Sequence, residues 1–284
     1  MKTPKSIQPL IDDGIVDEVI RSLKSGKEAA VYVVSCGGDI CCAKVYKEVD
    51  KRNFRQQSQY QEGRKVRNSR RARAMEKGSR YGRKEQESAW QTAEVEALYR
   101  LAAAGVRVPK PIGFYDGVLL MELVTDAEGH SAPRLNDVEL AAAQALEFHR
   151  FMMGQIVRML CAGLIHGDLS EFNVLLGAEG PVIIDLPQAV DAAGNNNASR
   201  MLERDVDNMT AYFGRFAPEL LETDYGKEIW KLYENGELQP EIALTGKFQH
   251  ATHKADVRSV MRVIDDARAE EERRRRSAAG ADES

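Results

Sequence analysis

Leu164-Ile165-His166-Gly167-Asp168-Leu169-Ser170-Glu171-Phe172-Asn173-Val174-Leu175-Leu176, with Val182-Ile183-Ile184-Asp185 a few residues on, is the stretch that decides how this 284-residue chain is read. It sets an Asp, an Asn five residues later and a second Asp at the end of an apolar run. Phosphoryl transfer from a nucleotide needs those three groups. One carboxylate orients or deprotonates the acceptor, while an amide oxygen and another carboxylate hold Mg²⁺ on the phosphates. The runs Val174–Leu176 and Val182–Ile184 read as short strands joined by a turn containing Gly177 and Gly180. Such a hairpin brings Asn173 and Asp185 side by side.

Working outward, a nucleotide site also needs a phosphate cover and a cation. Ser25-Gly26-Lys27-Glu28-Ala29-Ala30 is a small-residue turn opening into the β-run Val31–Val34. A second run, Ile40–Tyr46, follows the hairpin turn Gly37-Gly38. Lys44 lies in the middle of that otherwise apolar strand, where an unpaired ammonium is costly, so it wants an anionic partner. The turn is not a Walker A loop, because no Gly-x4-Gly-Lys-Ser/Thr is present.

The partner is expected on a helix. From Trp90 to Leu101 the apolar positions recur at helical spacing, and Gly105 stops the helix before Pro109. Glu94 falls near the apolar stripe and Glu96 falls off it, so Glu94 is the better candidate to pair Lys44. Val118–Val124 then reads as a strand running into a hinge. Met121 is there either a gatekeeper or a core methionine.

In order, these elements resemble the protein-kinase-like superfamily, and within it the RIO family of atypical serine/threonine kinases. The resemblance is carried by Ser25–Tyr32, Ala43-Lys44-Val45-Tyr46, Trp90-x3-Glu94, Ala104-Gly105-Val106-x2-Pro109 and Leu120-Met121-Glu122. His166–Leu175, Ile184–Val190 and Arg204-Asp205-Val206-Asp207-Asn208-Met209 with Tyr212-Phe213 complete it. The chain lacks room for the N-terminal winged-helix domain of one RIO subgroup, so the likeness is to the RIO1-like branch and its prokaryotic relatives. It implies an α+β, bilobal protein-kinase-like fold with a β-rich N-lobe over 15–121 and an α-rich C-lobe over 122–240. An N-terminal arm over 1–14 and a helical, partly disordered tail over 241–284 are expected around them.

The resemblance further implies ATP and Mg²⁺ (or Mn²⁺) as cofactors. Asp168 would be the catalytic carboxylate, and Asn173 and Asp185 the metal ligands. Lys44 would contact nucleotide phosphate and pair with Glu94. Ser25, Gly26, Lys27, Glu28 and Ala29 would form the phosphate loop, and Met121, Glu122 and Leu123 the adenine hinge. In this family the metal-binding Asp is itself a phosphoryl acceptor, which makes Asp185 a candidate for that step. The implied activity is non-specific serine/threonine protein kinase, autophosphorylating and possessing ATPase activity.

Two departures narrow this. Asp185 is followed by Leu186-Pro187, not Phe-Gly, so the flipping switch of ordinary protein kinases is not expected. Ala217-Pro218-Glu219 lies where an activation segment could end, but the charged and aromatic helix-like run 200–216 fills that interval, and the tripeptide reads as coincidence. A peptide-binding platform is therefore not expected. An alternative function is an ATPase switch acting as an RNA-binding or ribosome-assembly factor; another is a small-molecule phosphotransferase of the aminoglycoside or choline kinase type.

Charge distribution bears on the first alternative. Net charge is only −4, yet the insert 51–85 between Lys44 and Glu94 is dense in Lys and Arg, interspersed with Gln, Asn and Tyr. Such a segment suits phosphate-backbone contact with RNA or a ribosomal particle, or else is a solvated loop held open by its charge. The four cysteines, Cys36, Cys41, Cys42 and Cys161, form no Cys-x-x-Cys spacing, and no apolar run approaches membrane-spanning length. These features lead to an expectation of a reducing, cytoplasmic setting with no membrane partner.

Overall fold

The computed structural model describes residues 3–26, 29–47 and 80–248, with the side chains of 80–90 excepted. The chain divides into one compact unit ending at Lys247 and a second from Phe248 onward, of which only Phe248 is among the described residues. Most of the basic insert and most of the expected tail therefore lie outside the described residues.

Alternating apolar residues build an antiparallel five-stranded sheet in the order β1-β2-β3-β5-β4. Its strands are β1 (Glu18–Ser25), β2 (Ala29–Cys36), β3 (Asp39–Tyr46), β4 (Pro111–Tyr115) and β5 (Val118–Glu122). The β2–β3 connection is the expected two-residue turn: Gly37 and Gly38 have φ of +62° and +88°, which side-chain-bearing residues adopt at a cost.

The arm expected over 1–14 contains regular structure. Gln8–Asp12 forms a short helix, α1, and Ile7 and Leu10 are buried with Val34, Cys41, Ala43, Val45, Val118 and Leu120. The arm covers a face of the sheet that would otherwise leave apolar side chains in water.

Helix α2 runs Arg80–Ala103, beginning ten residues before Trp90. The extra turns consume the end of the basic stretch, where Arg, Lys, Glu and Gln are all good helix formers. Gly105, at φ +74°, follows its end. Val95, Leu98 and Leu101 of α2 share a core with Met152, Ile156 and Leu160 of helix α3 (Ala142–Cys161) and with Leu202, Val206 and Phe213 of helix α4 (Ala198–Gly214). The helix carrying Glu94 is thus anchored in the helical half of the molecule as well as beside the sheet.

The helical half also holds two short antiparallel ladders. Strand β6 (Leu164–Ile165) pairs β9 (Val190–Asp191), and β7 (Val174–Gly177) pairs β8 (Gly180–Ile183). Helix α5 (Tyr225–Glu234) closes the fold. Of the expected tail, residues 241–247 are irregular and strapped to α5, where Glu228 accepts hydrogen bonds from Thr245 N and Oγ1 and from Gly246 N, each at 2.8 Å; the stretch 249–284 lies outside the described residues. The bilobal, kinase-like α+β architecture is the one present. Among the described residues, no helix is long and apolar enough to cross a membrane.

Candidate active site

Lys44 lies in β3 with β2 and β5 on either side, opposite Val31 and Leu119. Its ammonium donates to Glu94 Oε1 and, at 3.2 Å, to Asp185 Oδ1. Helix α2 turns Glu94 inward, where it is 5% exposed, while Glu96 faces solvent. Burial works against the Lys44 charge, but the Glu94 and Asp185 carboxylates outweigh it and hold its pKa above the ordinary lysine value. The cation is thereby kept charged in a place that disfavours unpaired charge.

The loop after β6 is held from behind by α4. Asp205, 1% exposed, accepts the N–H groups of Gly167 at 2.7 Å and Leu169 at 2.9 Å. Arg204 donates to Gly167 O, and Asn208 Nδ2 to Leu169 O at 2.9 Å. Burial pushes Asp205 up to about 6 against the opposing pull of His166, the two N–H donors and Arg204. His166 Nε2 lies 3.1 Å from Ile184 O, while its Nδ1 accepts the Asp168 N–H at 3.3 Å. His166 therefore ties the Asp168 loop to the end of the β7–β8 hairpin.

That hairpin sets Asn173 and Asp185 together: Ile184 N donates to Asn173 O at 2.9 Å. Asp185 adopts φ +67°, a left-handed conformation that Asp tolerates better than most side chains and that here turns the chain sharply after the strand. Asn173 Nδ2 donates to Asp168 O at 2.8 Å. Its amide nitrogen is thus engaged by the loop, and its carbonyl oxygen is the atom with affinity for a cation.

A cleft of about 700 Å³ lies between the sheet and the helical half. Lys44, Glu94, Asn173 and Asp185 line it, as do Gly26, Ala29 and Met121–Val124. Asp168 is exposed and lies outside that lining. Ser25 is also outside the lining; Lys47 Nζ donates to Ser25 Oγ at 2.8 Å and to Gly26 O at 2.7 Å, bracing the turn. Lys27 and Glu28 lie outside the described residues. Glu122 lines the cleft, but its carboxylate is taken by Arg107 in a two-pronged pair at 2.7 and 2.9 Å. That carboxylate is therefore engaged and not free to meet a ligand.

The donor set suits Mg²⁺ held jointly with phosphates, which characteristically needs only one or two protein oxygens and completes its octahedron with phosphate and water. Asn173 and Asp185 provide one amide and one carboxylate oxygen at neighbouring strand ends. No cluster of three or more His, Cys, Asp or Glu able to hold a metal unaided occurs among the described residues.

Asp205, Arg204, Asn208 and Tyr46 enter the sequence reading only as parts of motifs, and Arg107 not at all. A signal for Asp205 existed, since an Asp on the apolar face of the helix 198–214 must be satisfied by something.

A lysine–glutamate pair linking a β-strand to a helix, a hinge, and an Asp/Asn/Asp constellation beneath a sheet define the protein-kinase-like class. Residues 30–226 match the family model of the RIO domain. The chain belongs to the RIO family. It is 37% identical over 212 residues to the RIO-type serine/threonine-protein kinase Rio1 of Haloferax volcanii, covering 74% of this chain and 68% of that protein. It is 28% identical to the serine/threonine-protein kinase rio1 of Schizosaccharomyces pombe, with 75% of this chain and 42% of that protein covered. To the human serine/threonine-protein kinase RIO1 it is 30% identical, with 72% and 35% covered. The chain thus spans less than half the length of these two eukaryotic relatives.

Proposed function

We propose that this protein is an ATP-dependent serine/threonine kinase of the RIO type, phosphorylating itself or a protein acceptor. The observation that carries the reading is the Lys44 ammonium, held charged between Glu94 and Asp185 on the wall of a cleft long enough to reach the hinge. A fixed cation there opposes the charge that develops on transferred phosphoryl oxygens. The names of the relatives add weight to the serine/threonine assignment.

In this reading Met121–Leu123 hold the adenine through backbone groups, and Ser25–Ala29 cover the phosphates. Asn173 and Asp185 would hold Mg²⁺, which would neutralise phosphate charge. Asp168 orients the acceptor hydroxyl and takes its proton as that oxygen attacks the γ-phosphorus and the bridging P–O bond to ADP breaks. His166, Asp205 and Asn208 keep the loop bearing Asp168 in one conformation, so its reorganisation cost is low at the moment of reaction.

The test is incubation of wild type and Asp168→Asn with radiolabelled ATP and Mg²⁺, following protein-bound label and free phosphate separately. Stable label on wild type, absent from Asp168→Asn, is the expected result. Free phosphate with little stable label would instead point to an ATPase cycle, and RNA or ribosomal particles would become the partners to assay, through the insert 51–85.

A further inference from the structure

Lys44 and Tyr46 are two residues apart on β3, so they project from the same face of the strand toward the cleft. Both end on one carboxylate. Lys44 Nζ donates to Glu94 Oε1, and Tyr46 Oη donates to Glu94 Oε2 at 2.7 Å. The ammonium also lies 5.5 Å from the centroid of the Tyr46 ring. Tyr46 is itself fixed from two sides: its ring meets Phe114 edge-on at 6.3 Å, and its backbone N–H donates to Gly117 O at 3.1 Å.

From this geometry we infer that Tyr46 is a positioning residue for phosphoryl transfer, one that holds Glu94 so that a single carboxylate oxygen is presented to Lys44. The inference rests on the nucleotide-cleft reading above and deepens it. A carboxylate this buried must have both oxygens satisfied, and no buried side-chain N or O lacks a partner among the described residues. With Oε2 occupied by the phenol, the carboxylate cannot rotate to chelate the ammonium with both oxygens. Lys44 then keeps its remaining N–H bonds for Asp185 and for phosphate. Without the phenol, Oε2 would be left unpaired in a buried place, and the cheapest remedy is to draw Lys44 deeper onto Glu94, away from the cleft. Burial and the nearby Glu94 raise the phenol's pKa, so the hydroxyl remains a donor at any working pH.

Tyr46→Phe tests this, because it removes only the hydroxyl and keeps the ring, its contact with Phe114 and the strand. Steady-state autophosphorylation and calorimetric binding of Mg·ATP are measured for wild type, Tyr46→Phe, Glu94→Gln and the double variant, each first shown to unfold cooperatively. Tyr46→Phe is expected to raise KM for ATP and to lower kcat/KM roughly tenfold, the size of one hydrogen bond to a charged group. In the Glu94→Gln background the same change should alter kcat/KM and affinity by no more than about twofold, since the two residues act as a unit. A Tyr46→Phe enzyme matching wild type, or an equal loss in both backgrounds, overturns the role. Should wild type bind Mg·ATP in a Tyr46-dependent way yet transfer no phosphoryl group, the hold of Tyr46 on Glu94 and Lys44 stands for nucleotide binding alone and the kinase reading falls. Wild type that binds no nucleotide overturns both.

Discussion

Asp205 holds Asp168 from behind: its buried carboxylate accepts the N–H groups of Gly167 and Leu169, the two residues that flank Asp168. Each oxygen takes one N–H, so both neighbours of Asp168 are fixed while its own side chain stays exposed. Asp205→Ala strands two buried N–H groups and should cost about 2–5 kcal/mol of stability. Asp205→Asn keeps one acceptor oxygen, should cost less, and should still lower phosphoryl transfer by about 100-fold through misplacement of Asp168. Denaturant unfolding and the radiolabel assay on both variants check this. A fully active Asp205→Asn would show that the loop keeps its shape without the second bond.

Lys44 and Glu94 should behave as a couple in stability as well as in activity. Lys44→Met leaves the Glu94 carboxylate buried with Tyr46 as its remaining partner and should destabilise by about 3 kcal/mol. Adding Glu94→Leu removes the stranded charge, so the double variant should be more stable than Lys44→Met alone. Turnover should fall at least about 100-fold in both, because no fixed cation faces the phosphates. Chemical denaturation of the four-member cycle reads the coupling; strictly additive changes would argue against it.

What is legible in the sequence, and what is not, divides along one physical line. Lys44, Glu94, Asn173 and Asp185 stand out because each is a polar group that local pattern places against apolar neighbours. Periodicity gives the face each one occupies and the hairpin pairs Asn173 with Asp185, while their meeting in one cleft is what the resemblance to the RIO family implies. Asp205, Arg107 and Tyr46 act by satisfying partners 15 to 48 residues away, and nothing in their immediate sequence says which partner that is. The N-terminal arm is a different case. Ile7, Leu10 and Ile11 carry helical spacing, but Pro4 and Pro9 make the stretch look irregular. Only the exposed face of a sheet that needs covering explains why it folds.

Arg107 joins the hinge to the helical half, and its removal should be felt in nucleotide binding. Its side chain grips Glu122, its N–H donates to Gln155 Oε1 at 2.7 Å, and its carbonyl accepts from Ile183 N at 2.9 Å. Burial raises the Glu122 pKa, but Arg107 and the Lys110 N–H outweigh this and hold it below its ordinary value of 4.5. A depressed acid adds stability above its unfolded pKa and loses it as pH falls through the lower folded value. Arg107→Gln should therefore cost about 1–3 kcal/mol at neutral pH and less in acid. With the hinge loosened, KM for ATP should rise several-fold while kcat changes little. Equal falls in kcat and kcat/KM would place Arg107 in the chemical step instead.

His149 and Asp205 should pull the pH dependence of stability in opposite directions. His149 is 1% exposed, lies 3.1 Å from Thr210 Oγ1, and packs on Phe213 and Tyr225; burial lowers its pKa from 6.5 to about 4. Between those values the unfolded chain binds the proton and the native protein does not, so stability rises with pH across the window. Asp205, raised by burial from 3.8 to about 6, does the reverse: the native protein keeps a proton that the unfolded chain has lost, and stability falls as pH rises toward 6. Each shift is worth about 3 kcal/mol at most, so their combined effect in wild type is small. His149→Gln removes one arm only. Its unfolding free energy should decline by about 2–3 kcal/mol between pH 4 and pH 6 relative to the wild-type profile. Urea titrations of both proteins at half-unit pH steps give the difference directly, and parallel profiles would mean that His149 titrates alike in the folded and unfolded chains.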